Sequence, residues 1–158
     1  LDFATFVAGS NTERMSCRLR TFDKAPGGQI GEYTLDANDS ATMQVQLHNG
    51  AVGVVHASRM ASGHLNDLRL RIFGTKGGLD VRWENDQSIL RACLEGDLME
   101  ATWQDMPLPA VKTNYVRFIE AIRAGEAVLP DFDRGAILQQ ALDAAVASDA
   151  DGCRDLAI

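Results

Sequence analysis

Apolar and polar positions alternate most cleanly between Ser40 and Ser58, where two alternating segments flank Asn49-Gly50. Asn-Gly is the strongest short-range hairpin signal, because both central residues of a type I′ turn need positive φ. A turn at 49 and 50 opposes His48 to Ala51, Leu47 to Val52, Val45 to Val54 and Met43 to His56. That apolar face is expected on the core. The other face would carry Thr42, Gln44 and Gln46 against Ala57, Val55 and Gly53, all polar or small and none formally charged. A sheet face open to water usually shows Lys or Glu, so this face is expected to be covered by another part of the chain or by another subunit.

The same pattern predicts the remaining elements. Leu1, Phe3, Phe6 and Val7 recur at helical spacing, with Gly9 as the stop. No capping residue precedes Leu1, so the chain is expected to be a piece of something longer. Met15, Cys17 and Leu19 alternate with Ser16, Arg18 and Arg20, which predicts a strand from Met15 to Thr21. Residues 23–38 read as a loop with a short extended piece around Tyr33 to Leu35. Leu68, Leu70 and Ile72 alternate with Arg69 and Arg71; after the turn Gly74-Thr75-Lys76-Gly77-Gly78, Leu79, Val81 and Trp83 alternate with Asp80 and Arg82. Ser88 to Leu94 and Leu98 to Gln104 predict a further hairpin around Glu95-Gly96-Asp97. Tyr115, Phe118, Ile119 and Ile122 make one stripe of a helix from Asn114 to Ala124, ended by Gly125. Asp133 is placed to cap a second helix running to about Asp149, with Ile137, Leu138, Ala141, Leu142, Ala145 and Val146 inward. Cys153 to Ile158 suits a last short strand. Strands first and helices last predict an α+β fold: a mainly antiparallel open sheet with helices on one face and the other face available for oligomerisation.

At 158 residues the chain is expected to form one domain with a real core. A net charge of −7 argues against nucleic acid and against an anionic membrane surface as partners. No apolar run approaches transmembrane length. Cys17, Cys93 and Cys153 are odd in number and far apart, with no Cys-x-x-Cys pair. They read as reduced thiols of a cytoplasmic protein rather than a disulfide frame or a zinc site.

Candidate chemistry is sparse. Gly74 to Gly78 lacks a Gly-Lys-Ser/Thr ending and leads into a strand, so it is a turn rather than a phosphate loop. His48, His56 and His64 lie eight apart on different parts of the pattern, with no carboxylates at ligand spacing, so no metal site is expected. Arg59, His64 and Asn66 share a loop after a central strand, where polar side chains can reach a ligand; the alternative is an ordinary solvated loop. Tyr115, beside Asn114 at the start of a helix, is either a further ligand contact or a half-buried aromatic with its hydroxyl in water. Glu126, Asp131 and Asp133 are explained by capping and surface charge, and no Ser-His-Asp or Cys-His arrangement is present.

Three motifs together resemble one family. The run Ser58-Arg59-Met60-Ala61-Ser62-Gly63-His64-Leu65-Asn66-Asp67-Leu68, followed by Gly74-Thr75-Lys76-Gly77, is similar to a stretch of the glucose–fructose oxidoreductase / inositol dehydrogenase (Gfo/Idh/MocA) family. So are the preceding Asn49-Gly50-Ala51-Val52-Gly53 and the ending, from Phe118-Ile119-Glu120-Ala121-Ile122-Arg123-Ala124-Gly125 through Pro130-Asp131-Phe132-Asp133-Arg134-Gly135 to Ser148 and Gly152. The opening Leu1-Asp2-Phe3-Ala4-Thr5-Phe6-Val7-Ala8-Gly9 is similar to the helix that follows the family's catalytic histidine.

The resemblance implies a parent protein of two domains that uses NAD or NADP to oxidise or reduce a sugar, polyol or related hydroxy compound. Its Rossmann domain would hold the dinucleotide, and this chain would be the C-terminal domain, which shapes the substrate site and forms the subunit interface. The departures matter equally. The chain has no Gly-x-Gly-x-x-Gly and no Glu-Lys-Pro, and the family's catalytic histidine would fall before Leu1. No catalytic residue is therefore assigned, no cofactor is expected on this chain alone, and it is expected to be inactive by itself. Arg59, His64, Asn66 and Tyr115 remain as substrate-side contacts, and Thr42, Gln44, Gln46 and Val55 as the interface of a homo-oligomer. The alternative is a non-catalytic ligand-sensing or protein-binding relative of the same fold.

Overall fold

The computed structural model describes all 158 residues. In chain order the elements are α1 (Asp2–Ala8), β1 (Thr12–Arg20), β2 (Gln29–Ile30), β3 (Tyr33–Thr34), β4 (Ser40–Leu47), β5 (Val52–Ser58), β6 (Leu68–Gly74), β7 (Gly77–Glu84), β8 (Gln87–Leu94), α2 (Asp97–Glu100), β9 (Gln104–Asp105), α3 (Asn114–Ala124), α4 (Phe132–Ala150) and β10 (Leu156–Ala157). A 3-10 turn at Pro26–Gly28 precedes β2. This is the α+β arrangement that the alternation predicts. The principal strands divide between two four-stranded sheets, and every strand pairing is antiparallel. The chain forms two compact units, residues 1–62 with 129–158, and residues 63–128.

The first unit holds the sheet β10-β1-β4-β5. Met15, Cys17, Met43 and Val45 form its buried face, closed by Ala141 and Ala145 of α4. Small alanines let the helix backbone come close to the sheet. The inward stripe of α4 is Ala141, Ala145 and Ser148, whereas Leu142 and Val146, expected inside, are 44% and 56% exposed. The N-cap of α4 is Asp131, not Asp133: its carboxylate accepts the Arg134 N–H at 2.8 Å. Beyond its short pairing with β10, β1 has a free edge, and α4 satisfies it. Ser148 Oγ accepts the Cys17 N–H at 2.9 Å and donates to the Arg154 carbonyl at 2.6 Å. Asp149 Oδ1 accepts the Leu19 N–H at 2.9 Å. These buried backbone donors would otherwise be left without partners.

The central hairpin differs from the expected register by one residue. Its loop has three residues, not two. Gly50 donates to the Leu47 carbonyl and Leu47 donates to the Ala51 carbonyl, each at 2.8 Å. Gly50 takes the left-handed conformation at φ +84°, the geometry of a type I turn closed by a glycine bulge. Asn49 serves both loop lengths, so the dipeptide does not decide between them. Its N–H and side-chain amide tie the turn to Ser10 Oγ and to the Ala8 carbonyl. In consequence Met43 pairs with Val55, Gln44 with Val54 and Thr42 with His56. A slip of one residue reverses every side chain of β5.

The second unit holds the sheet β6-β7-β8-β9. Leu68, Leu70 and Ile72 lie opposite Trp83, Val81 and Leu79 on one face, while Arg69, Arg71, Asp80, Arg82 and Arg91 share the other. Trp103 lies against Gly78 so closely that a Cβ there would sit 2.9 Å from the indole ring. The predicted hairpin of residues 88–104 is interrupted. The short helix α2 occupies residues 97–100, and only Gln104 and Asp105 return to pair with Ala92 and Arg91. α3 has the predicted bounds, capped by Thr113 and ended by Gly125. Its apolar stripe is uncovered: Phe118 and Ile122 are 61% and 62% exposed, and Ala121 alone is buried.

Candidate functional site

Of the four expected substrate contacts, Arg59 belongs to the first unit and His64, Asn66 and Tyr115 to the second. Arg59 directly follows β5; its N–H donates to the Asp39 carbonyl at 2.8 Å while its side chain is exposed. His64 is exposed in the connection before β6, with Nδ1 2.6 Å from Asp67 Oδ2. The carboxylate fixes the ring orientation, so the imidazole edge with Nε2 points away from Asp67. Asn66 is exposed in the same connection. Tyr115 stands in the first turn of α3 and is 85% exposed. No hydrogen bond joins any two of the four.

The open face of the first sheet is better defined. Arg18, Thr42 and His56 form one row across β1, β4 and β5, Ser16, Gln44 and Val54 the next, and Arg14, Gln46 and Val52 a third. Thr42, Gln44 and Gln46 therefore lie together on this face. Val55 does not: it packs against the core beside Met43. The apolar members of the open face are Val52 and Val54, 80% and 70% exposed. A concavity of about 530 Å³ lies over Ser16, Gln44, Gln46, Val52 and Val54. Nor is the face free of charge, because β1 adds arginines that the hairpin alone does not reveal.

The strongest electrostatic feature is in the second unit. Asp80 is 5% exposed and receives paired guanidinium hydrogen bonds from Arg82, at 2.8 and 3.2 Å, and from Arg69, at 2.9 and 3.3 Å. Arg71 Nε approaches to 3.7 Å. The Arg82 hydrogen bonds, seconded by those of Arg69, hold the Asp80 carboxyl far below the usual carboxylate range, against the cost of its burial. Reciprocally, Asp80 raises the pKa of Arg82. In the first unit the Phe22 N–H lowers the pKa of Asp39, helped by Lys24. Burial raises that of the Cys17 thiol, and Asp149 and Cys153 add to the effect. A buried, protonated thiol is a packing residue, not a nucleophile.

The glycine turn of this chain is not a dinucleotide loop. A dinucleotide needs a glycine turn between a strand and a helix N-terminus, in a parallel βαβ unit. Here Gly74 pairs with Gly77 across a two-residue hairpin that leads from β6 into β7. No group of His, Cys, Asp and Glu residues is arranged to hold a metal ion. No helix is long and apolar enough to cross a membrane.

The antiparallel sheets and the alanine-lined helix that closes the first of them define an α+β domain. The chain belongs to the Gfo/Idh/MocA family: its residues 1–80 match the model of the GFO/IDH/MocA C-terminal domain. It is 28% identical over 133 residues to levoglucosan dehydrogenase from Pseudarthrobacter phenanthrenivorans, an alignment that covers 69% of this chain and 33% of that protein. Its fold matches a levoglucosan dehydrogenase solved with NADH and levoglucosan, with a TM-score of 0.82 and 23% identity over 99% of this chain and 47% of that one. It also matches an oxidoreductase domain protein from Kribbella flavida, with a TM-score of 0.81 and 22% identity over 99% and 48% of the two chains. The chain thus spans about half the length of these solved structures.

Proposed function

We propose that this chain is the substrate-side and oligomerisation domain of an NAD- or NADP-dependent dehydrogenase acting on a sugar, polyol or related hydroxy compound. The supporting observation is its likeness, over 99% of its length, to one half of a dehydrogenase whose solved form holds NADH and a sugar derivative. The dinucleotide would be held by a Rossmann domain on the same parent chain. This chain would contribute the wall that faces the substrate, with Arg59, His64, Asn66 and Tyr115 as candidate contacts. By itself it is expected to transfer no hydride, because hydride transfer needs a bound nicotinamide and a base for the hydroxyl proton. Self-association would use the open face of Thr42, Gln44, Gln46, Val52 and Val54.

The test is an assay of the full-length gene product against levoglucosan and a panel of aldoses and polyols with NAD and with NADP, following reduced nicotinamide. The expected result is turnover by the full-length protein and none by residues 1–158 alone. Full-length protein that carries the Glu-Lys-Pro lysine yet turns over no member of the panel and binds neither dinucleotide would overturn the reading.

A further inference from the structure

A concavity of about 1090 Å³ lies at the end of the open face, where β1 finishes and β4 and β5 meet. Its floor is built from two cross-strand rows, Arg18–Thr42–His56 and Arg20–Ser40–Ser58. Ser40 and Ser58 are joined through their hydroxyls at 2.7 Å. The side chains of Arg18, Arg20 and His56 make no hydrogen bond or ion pair in the structure, whereas Arg14 of the same strand is paired with Asp155. Two carboxylates border the space: Asp149, whose Oδ1 is already committed to the Leu19 N–H, and the exposed Asp23.

Two guanidiniums two residues apart on one strand face stand about 7 Å apart at their Cα atoms. They can converge on one oxyanion, and guanidinium forks match phosphate and carboxylate oxygens geometrically. The imidazole of His56 and the hydroxyl of Thr42 supply further hydrogen bonds around that point, suited to the hydroxyls of an attached carbon chain, while Ser40 and Ser58 are held by each other and by the Met60 N–H on Ser58 Oγ. We propose that this concavity is a binding site for a small polyhydroxylated molecule bearing a phosphate or carboxylate group. All of its lining belongs to the first unit, and it does not depend on the dehydrogenase reading. Arg18 and Arg20 clamp the oxyanion, and His56 lies beside it.

The chain has only three histidines, so their imidazole proton resonances can be followed individually. Residues 1–158 are titrated with inorganic phosphate, glucose 6-phosphate, gluconate and, as neutral control, glucose, with light scattering recorded in parallel. Saturable movement of the His56 resonance by glucose 6-phosphate or by gluconate, but not by glucose, supports the site. Whichever of the two acts identifies the oxyanion as phosphate or carboxylate. The exposed double substitution Arg18→Gln/Arg20→Gln should weaken that binding roughly tenfold or more, whereas Arg71→Gln in the second unit should leave it unchanged. No saturable shift with any oxyanion, an equal response to glucose, or undiminished binding by the double variant would overturn the proposal. Because the row Arg18–Thr42–His56 belongs to the open face, a second copy seated there would compete with the ligand; ligand titration read against the scattering mass at several protein concentrations separates the two, and a loss of the His56 shift at unchanged mass would overturn the site alone.

Discussion

The two four-stranded sheets are built by the same antiparallel pairing yet stabilised by different physics. In the first, Met15 and Cys17 are 0% and 1% exposed beneath alanines of α4. In the second, the most buried positions of β7 and β8 are Gly78, Asp80, Ala92 and Cys93, and one of them is a charge. The first sheet is held by apolar burial and by a helix that also completes its edge. The second relies on its strand ladder and on one carboxylate that gathers Arg82 of its own strand and Arg69 and Arg71 of β6. Removing an apolar side chain should damage the first most, and removing a charge the second.

The largest effect is expected from Met15→Ala. Met15 is fully buried between β4 and α4, so truncation leaves a cavity as well as losing transfer energy, about 3 kcal/mol together. The measurement is urea unfolding, read as a fall in midpoint at unchanged slope. A loss below about 1 kcal/mol would mean that α4 collapses onto the gap, and that the first sheet is less tightly packed than its burial implies.

Asp80→Asn should cost about 2 kcal/mol at neutral pH, less than for a fully buried pair because Arg69 and Arg71 are 45% and 55% exposed. The pH dependence gives the sign. The folded state holds the Asp80 carboxyl below its unfolded value, so its contribution is complete above the unfolded pKa of about 3.9 and is lost as pH falls below that value toward the folded one. The stability gap between wild type and Asp80→Asn should therefore be wide at pH 7 and narrow below about pH 4. A gap independent of pH would assign the effect to packing rather than charge.

Much of this contrast was legible in the sequence. The alternation of β1, β6 and β7 located the strands, and Gly9 and Gly125 ended their helices where expected, both with positive φ. The errors have physical sources. Asn49-Gly50 is compatible with both a two-residue and a three-residue loop, and the alternation of β5 survives a one-residue slip, so the sequence pattern puts Val55 on the open face where the structure turns it to the core. For α4, size misled: Leu142 and Val146 are more apolar than their neighbours, but close packing on a sheet selects Ala141, Ala145 and Ser148. Alternation puts Arg18 and Arg20 on the polar side of β1, but the rows they form with β4 and β5 depend on strand order, which alternation does not give. The signal that could have found them is the unusual presence of arginines at 18 and 20 beside a hairpin face with no charge of its own.

The smallest expected effect on stability, and the sharpest test of which face is which, is Val54→Arg. Val54 is 70% exposed on the open face, so an arginine there should change folding stability by no more than about 0.5 kcal/mol. If that face is buried between copies of the chain, the same substitution places an unpaired charge in a desolvated contact and should dissociate the assembly. Light scattering should show the mass fall toward that of one chain, 17.1 kDa for residues 1–158. Val111→Arg serves as control, since Val111 is a valine of similar exposure, 84%, in the second unit. Equal masses for the wild type, Val54→Arg and Val111→Arg would remove the self-association role from the face of Thr42, Gln44 and Gln46. A fall in mass for Val54→Arg alone would show that the exposed valines of β5, rather than the core-facing Val55, are what a second copy covers.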